Sequence, residues 1–275
     1  MAHCQPPSQR MNRIEKRFAD LRARRQKGLV VYIGAGDPNL QATHQLALAF
    51  DKAGVDILEL GVPFSDPLAD GIVNQLAAQR GLLSGTTPTG VLETVAAIRR
   101  SSEIPIVLYV YFNLLHKVGL EKFITDAAKV GIDGLLVLDL PPEESEAYEE
   151  LMARAGLSNI YLIAPTTPES RIELIARRAR GFIYYVSREG VTGMQSKVSD
   201  TIALMTSRIR SHTALPIAIG FGISNAEQAR AVANHGDAIV VGSAIVDRIA
   251  QHGASPELVP TVGAFVHSLA QAIKP

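Results

Sequence analysis

The segment VDILELGVPFSDPLADG (55–71) places two carboxylates, Glu59 and Asp70, on either side of a turn rich in proline and glycine. Along a strand, side chains repeat every two residues, so Val55, Ile57 and Glu59 share one face and Asp56, Leu58 and Leu60 the other. If the first face lines a closed sheet, Glu59 stands at its mouth among apolar neighbours. Desolvation there raises a carboxyl pKa and suits it to deliver and accept protons near neutrality. An outward, salt-bridged Glu59 fits the same strand pattern equally well. Acidic loops are common, so Asp66 or Asp70 alone would mean little. A second carboxylate near a strand-end glutamate is different, because the two can divide acid and base roles.

A second chemical signal lies near the C-terminus. PIAIGFGIS (216–224) ends a strand with Gly220 and Gly222, and VVGSAIV (240–246) runs through Gly242 and Ser243 directly into a helix. Glycines let a ligand approach the backbone, and free N–H groups at a helix start favour an anion. GFGISN is not a dinucleotide fingerprint, since its third glycine is missing. Simple tight turns would use the same glycines; a phosphorylated small molecule is the reading that also explains their position. Between these signals, GFIYYVSREGVTG (181–193) puts Tyr184 on one face with Phe182 and Val186, and residues 190–193 read as a glycine-hinged lid. Tyr184 reads equally as a core tyrosine. Tyr32, Tyr111 and Asp139 also approach strand ends, and aromatic walls of that kind suit a flat ring.

The elements that must carry these groups alternate along the whole chain. Eight apolar, β-rich runs begin at Leu29, Val55, Ile104, Asp133, Asn159, Gly181, Pro216 and Asp237. Near-continuous apolarity predicts parallel strands covered on both faces, and eight is the number that closes a (β/α)8 barrel. Helix signals separate them: Leu46, Ala49, Phe50 and Ala53 at helical spacing before Gly54, Thr87 as a cap before Pro88, and EESEAYEELMARAG (143–156) with acids early and Arg154 late. The expected architecture is α/β, a single (β/α)8 TIM barrel over 12–275. An extra amphipathic helix over 12–25 opens it, after a flexible leader at 1–11. An open doubly wound sheet is the rival, but it usually has fewer strands.

Composition narrows the class of ligand. The 275 residues carry 27 Lys plus Arg against 27 Asp plus Glu, and this zero net charge argues against a nucleic-acid or anionic-membrane binder. The single cysteine, Cys4, and seven scattered histidines offer no metal-ligand spacing, so no metal is expected. No apolar run reaches the ~18 residues that span a bilayer, and the first residues lack the apolar core of a signal peptide. The expected setting is the cytoplasm.

These residues resemble one family closely. LELGVPFSDPLADG (58–71) is similar to the signature of tryptophan synthase alpha chains. The resemblance continues in order through AGDP (35–38), GIDGLLVLDLPPEES (131–145), APTTP (164–168), YYVSREGVTG (184–193), IGFGIS (219–224) and VVGSAIV (240–246). It implies a (β/α)8 barrel that cleaves indole-3-glycerol phosphate to indole and glyceraldehyde 3-phosphate with no cofactor of its own. It also implies a partner beta chain carrying pyridoxal phosphate, in an alpha2-beta2 tetramer. Carried over by motif, Glu59, Asp70 and Tyr184 are the catalytic residues, and Gly193, Phe221, Gly222, Gly242 and Ser243 hold the phosphate. Tyr32, Tyr111 and Asp139 line the indole pocket, and Asp66 and Pro67 lie in a loop facing the partner. The chain departs from the family pattern at Gly34, Ile72, Asn74, Leu138 and Met194–Gln195.

Three other readings share part of this pattern. A free-standing lyase that releases indole would keep every active-site residue. A non-catalytic regulatory barrel would be expected to lose Glu59 or Asp70. A sugar-phosphate isomerase barrel would explain the late glycines but not the segment 58–71.

Overall fold

The computed structural model describes residues 11–186 and 195–274. Residues 1–10 of the leader and the lid expected at 190–193, Gly193 included, lie outside these described residues. Eight strands, β1 (Gly28–Gly34), β2 (Ile57–Gly61), β3 (Ile106–Val110), β4 (Gly134–Val137), β5 (Ser158–Ile163), β6 (Ile183–Val186), β7 (Ile217–Gly220) and β8 (Ala238–Val241), form a closed barrel. All pairings are parallel and follow chain order, with β1 completing the ring against β8. Twelve helices are described: α1 (Arg13–Ala23), α2 (Leu40–Ala53), α3 (Ile72–Leu83), α4 (Pro88–Ile98), α5 (Phe112–Val118), α6 (Leu120–Val130), α7 (Glu146–Ala155), α8 (Glu169–Arg178), α9 (Gln195–Arg210), α10 (Ala226–Ala233), α11 (Ser243–His252) and α12 (Leu258–Ile273).

Local chemistry accounts for the helix boundaries. Asn12 starts α1 by accepting from the Ile14 N–H in a capping box with Glu15. Thr87 accepts from the Gly90 N–H ahead of Pro88, and Gly54 and Gly156 close α2 and α7 in the left-handed region. The fully buried residues of α2 include Leu46 and Phe50, together with Ala42 and Ala47. Ala49 and Ala53 are only half-buried.

Two cores result. The larger lies between the barrel and its helices and takes the outward side chains, such as Leu58 and Leu60 of β2. The smaller fills the barrel itself with Val30, Ile57, Val107, Leu136, Ile160 and Phe182. Helix α1 closes its floor, inserting Ile14, Phe18 and Leu21, with the Phe18 and Phe182 rings 5.8 Å apart. Val55 departs from the expected inner face and packs in the outer core, because the extended strand begins only at Ile57. Among the described residues, no helix is long and apolar enough to cross a membrane.

Candidate active site

The top of the barrel interior is polar. In register, Glu59 stands between Tyr32 of β1 and Val107 of β3, two residues beyond Ile57 of the apolar filling. Its side chain is 1% exposed, and neither carboxyl oxygen has a hydrogen-bond partner. Burial first, and the neighbouring Asp70 charge second, push the Glu59 carboxyl up to about 8. A carboxyl in that state is protonated at neutral pH and exchanges its proton readily. The outward, salt-bridged alternative for Glu59 is excluded.

Asp70 comes from the loop between β2 and α3 and is held from β3 and the loop beyond it. The Tyr109 hydroxyl donates to Oδ1 at 2.7 Å and the Tyr111 hydroxyl to Oδ2 at 2.8 Å. Tyr111 also accepts from the Ala69 N–H at 3.0 Å, and Gln75 donates to the Asp70 carbonyl at 2.9 Å. Further along, Arg80 of α3 clamps buried Asp37 in the loop after β1 through two bonds of 2.8 and 2.7 Å. Asp70 is thereby held by the two phenols, and the helix that follows its loop is tied to the loop after β1. Burial and the Asp70 and Glu59 charges hold the hydroxyls of Tyr32 and Tyr184 well above the ordinary phenol value. Burial and Asp70 do the same for Tyr109, so all three remain neutral. Space for these rings comes from Gly61 and Gly220, where any Cβ would collide with Tyr32 and Tyr184 respectively.

A cavity of about 900 Å³ opens over this layer. Glu59, Asp70, Tyr109 and Tyr184 line one part of it; Gly222, Gly242 and Ser243 line another, with Phe221 beside them. Gly222 adopts φ +61, and a Cβ there would meet nothing within 4 Å. Helix α11 starts at Ser243 with Gly242 as its cap and no side chain satisfying its first N–H groups. That is an anion-binding arrangement. A contiguous lobe of about 620 Å³ shares Tyr109, Tyr184 and Val186 and adds Leu138, Leu162 and Pro165. The site therefore joins an apolar slot to an anion cradle, with the carboxyl of Glu59 in the wall.

Two expected residues take other places. Asp139 does not line either cavity; it is exposed, and its carboxylate accepts from the Phe112 N–H at 2.7 Å, capping the first turn of α5. It lies two residues beyond Val137, the last residue of β4. Tyr111 reaches Asp70 rather than the slot, with its ring 5.1 Å from that of Phe64. Asp66 is exposed on the outside of the loop, accepting from the Ser65 hydroxyl at 2.6 Å, and Pro67 beside it is half-buried. Tyr109 was not among the expected residues, although the two-residue repeat linking Val107, Tyr109 and Tyr111 carries its signal. Among the described residues, no group of three or more His, Cys, Asp or Glu could hold a metal ion.

Comparison with known proteins decides between barrels of this general form. A family model described as tryptophan synthase alpha chain matches residues 18–274. The chain belongs to the tryptophan synthase alpha chain family. It is 50% identical to the tryptophan synthase alpha chain of Opitutus terrae over 247 residues, covering 90% of this chain and 93% of that one. It is 46% identical to that of a Geobacter species over 263 residues, covering 96% and 98%. The crystal structure of tryptophan synthase subunit alpha from Legionella pneumophila superposes with a TM-score of 0.89 at 36% identity, over 96% of this chain and 99% of that one. Membership makes the chain a lyase of tryptophan biosynthesis that cleaves indole-3-glycerol phosphate.

Proposed function

We propose that Glu59 carries the proton in a retro-aldol cleavage of indole-3-glycerol phosphate and that Asp70 stabilises the ring. The substrate phosphate rests on Gly222, Gly242 and Ser243, flanked by Phe221. The indole ring enters the slot between Tyr109, Leu162 and Tyr184, with Tyr32 behind Glu59. Protonated Glu59 delivers its proton to indole C3, giving the indolenine form with positive charge near N1. Asp70, oriented by its two tyrosines, accepts a hydrogen bond from N1–H and stabilises that charge. The Glu59 carboxylate then takes the proton of the C3′ hydroxyl as the C3–C3′ bond breaks. The bonding electrons return to the ring, indole and glyceraldehyde 3-phosphate form, and Glu59 ends protonated as it began. Each of these contributions is worth roughly 10²–10⁴-fold in rate. The observation that carries the reading is the buried Glu59 carboxyl with no internal partner, facing a cavity shared with an anion cradle.

This chemistry calls on no cofactor held by the chain. A beta chain carrying pyridoxal phosphate would take up the indole, in an alpha2-beta2 assembly in the cytoplasm, with the Asp66–Pro67 turn at the shared surface. Indole release from indole-3-glycerol phosphate, measured with and without a tryptophan synthase beta chain, tests the reading. Slow turnover alone that rises with the partner is the expected result. Fast turnover with no partner effect would make the chain a free-standing lyase, and no turnover in either case would overturn the assignment of Glu59.

A further inference from the structure

Helix α3 contributes a polar group to the cavity that the mechanism above leaves unused. Asn74, in the first turn of α3, lines the cavity together with Asp70, Gly242 and Ser243. Its neighbours along the helix, Val73 and Ala77, pack against Tyr32 of β1 and Val246 of α11. The side chain therefore stands in the wall shared by α3, β1 and α11, where both the carboxyls and the anion cradle are within the same cavity. The Asn74 Oδ1 atom is buried and has no hydrogen-bond partner. Either end of a carboxamide bonds a hydroxyl, since its oxygen accepts and its nitrogen donates. An unmade hydrogen bond on a buried amide is costly, and an apolar side chain of the same shape would carry no such cost.

We infer that Asn74 is a specificity-determining residue that hydrogen-bonds the C2′ hydroxyl of the substrate's glycerol chain. The inference rests on the proposed function and names one contact within that site. Between the indole ring and the phosphate, the substrate offers two hydroxyls. The C3′ hydroxyl gives its proton to Glu59, and N1–H is taken by Asp70. The C2′ hydroxyl is the remaining donor and acceptor, and Asn74 offers a buried, unpartnered amide oxygen in the wall, whereas the Gln251 amide is exposed. A site built to bond a hydroxyl discriminates against an analogue that lacks it, because its own polar group is then left buried and unpaired.

The test compares indole-3-glycerol phosphate with its 2′-deoxy analogue as substrates of the wild-type chain and of Asn74→Leu, a near-isosteric apolar replacement. The wild type is expected to favour the hydroxylated substrate in kcat/KM by roughly 10–100-fold. In Asn74→Leu that preference should shrink to within about 3-fold, mainly through loss of rate on the hydroxylated substrate. Asn74→Ser, which keeps a hydroxyl, should restore part of it. The melting temperature should hold or rise in Asn74→Leu, since a buried unpaired amide has been removed. Equal losses on both substrates, or an unchanged preference, would overturn the assignment of Asn74 while leaving the cleavage reaction intact. A wild-type chain that cleaves neither substrate would instead overturn the proposed function.

Discussion

The floor and the mouth of this barrel each hold a carboxylate almost withdrawn from water, and the two are treated in opposite ways. At the floor, Asp133 is 3% exposed and fully engaged: it bonds Arg99 at 2.8 Å, Arg13 at 3.1 Å and the Ile106 N–H at 2.8 Å. Asp56, just before β2, is bound by the Leu29 N–H at 2.7 Å and by Arg17 and Lys274. At the mouth, Glu59 is as deeply buried and has no partner. Buried charges that only hold a fold are paired, because an unpaired one costs several kcal/mol. A carboxyl that must exchange protons with a substrate gains from the absence of such pairing, which leaves its pKa near neutrality. In the floor cavity, about 690 Å³, Arg13, Arg17 and Asp133 are all in ion pairs, while Lys16 and Asp20 stand exposed to water.

That contrast can be broken most forcefully by exchanging the two fates. Glu59→Gln keeps the shape and removes the mobile proton, so kcat for indole release should fall by roughly 10²–10⁴-fold with the fold intact. Stability should move the other way. Native Glu59 holds a proton from its ordinary 4.5 up to about 8, so its contribution is complete below that window and is lost as pH rises through it. Glu59→Gln should therefore match the wild type near pH 5 and exceed it by about 2–4 kcal/mol at pH 8, read by denaturant unfolding. A variant less stable than the wild type at pH 8 would make Glu59 a structural residue.

The complementary change is Asp133→Ala. It strands Arg99 beneath the barrel and should cost about 3–5 kcal/mol of stability, with kcat per folded molecule unchanged. Loss of turnover without loss of stability would erase the distinction between floor and mouth. Smaller effects sharpen the account of the mouth itself. Asp70→Asn should lower kcat by about 10²-fold, and an unchanged rate would mean that another group stabilises the ring charge. Tyr109→Phe removes one of the two phenols on that carboxylate, and a loss of about 10-fold in kcat with little change in KM is expected. A rise in KM alone would place Tyr109 in ring binding rather than in holding Asp70.

The same contrast explains what could be read from the sequence. Strand number, order and parallel pairing were legible because each strand is an apolar run between helix signals, a purely local pattern. The two-residue repeat put Glu59 on one face with Ile57 but left inward and outward equally open until its burial was seen; Val55 left that face, since the repeat cannot show where the extended backbone begins. Asp139 was misplaced for the matching reason, lying just past the end of β4. The hold of Tyr109 and Tyr111 on Asp70 joins segments 39 and 41 residues apart, a tertiary contact that no local spacing encodes. Asn74 showed in the sequence only as a departure from a family pattern. Its orphaned amide became visible once α3 was seated against β1 and α11.

In the proposed mechanism the unpaired carboxyl at the mouth, protonated at rest, drives the cleavage. The pH dependence of kcat/KM for indole release between pH 6 and 10 reads out that proton. The wild type should hold a plateau and then fall about tenfold per pH unit above an apparent pKa near 8, as Glu59 loses its proton in the free enzyme. The residual activity of Glu59→Gln should lack that limb. A wild-type rate that stays level through pH 9, or the same limb in the variant, would contradict the account.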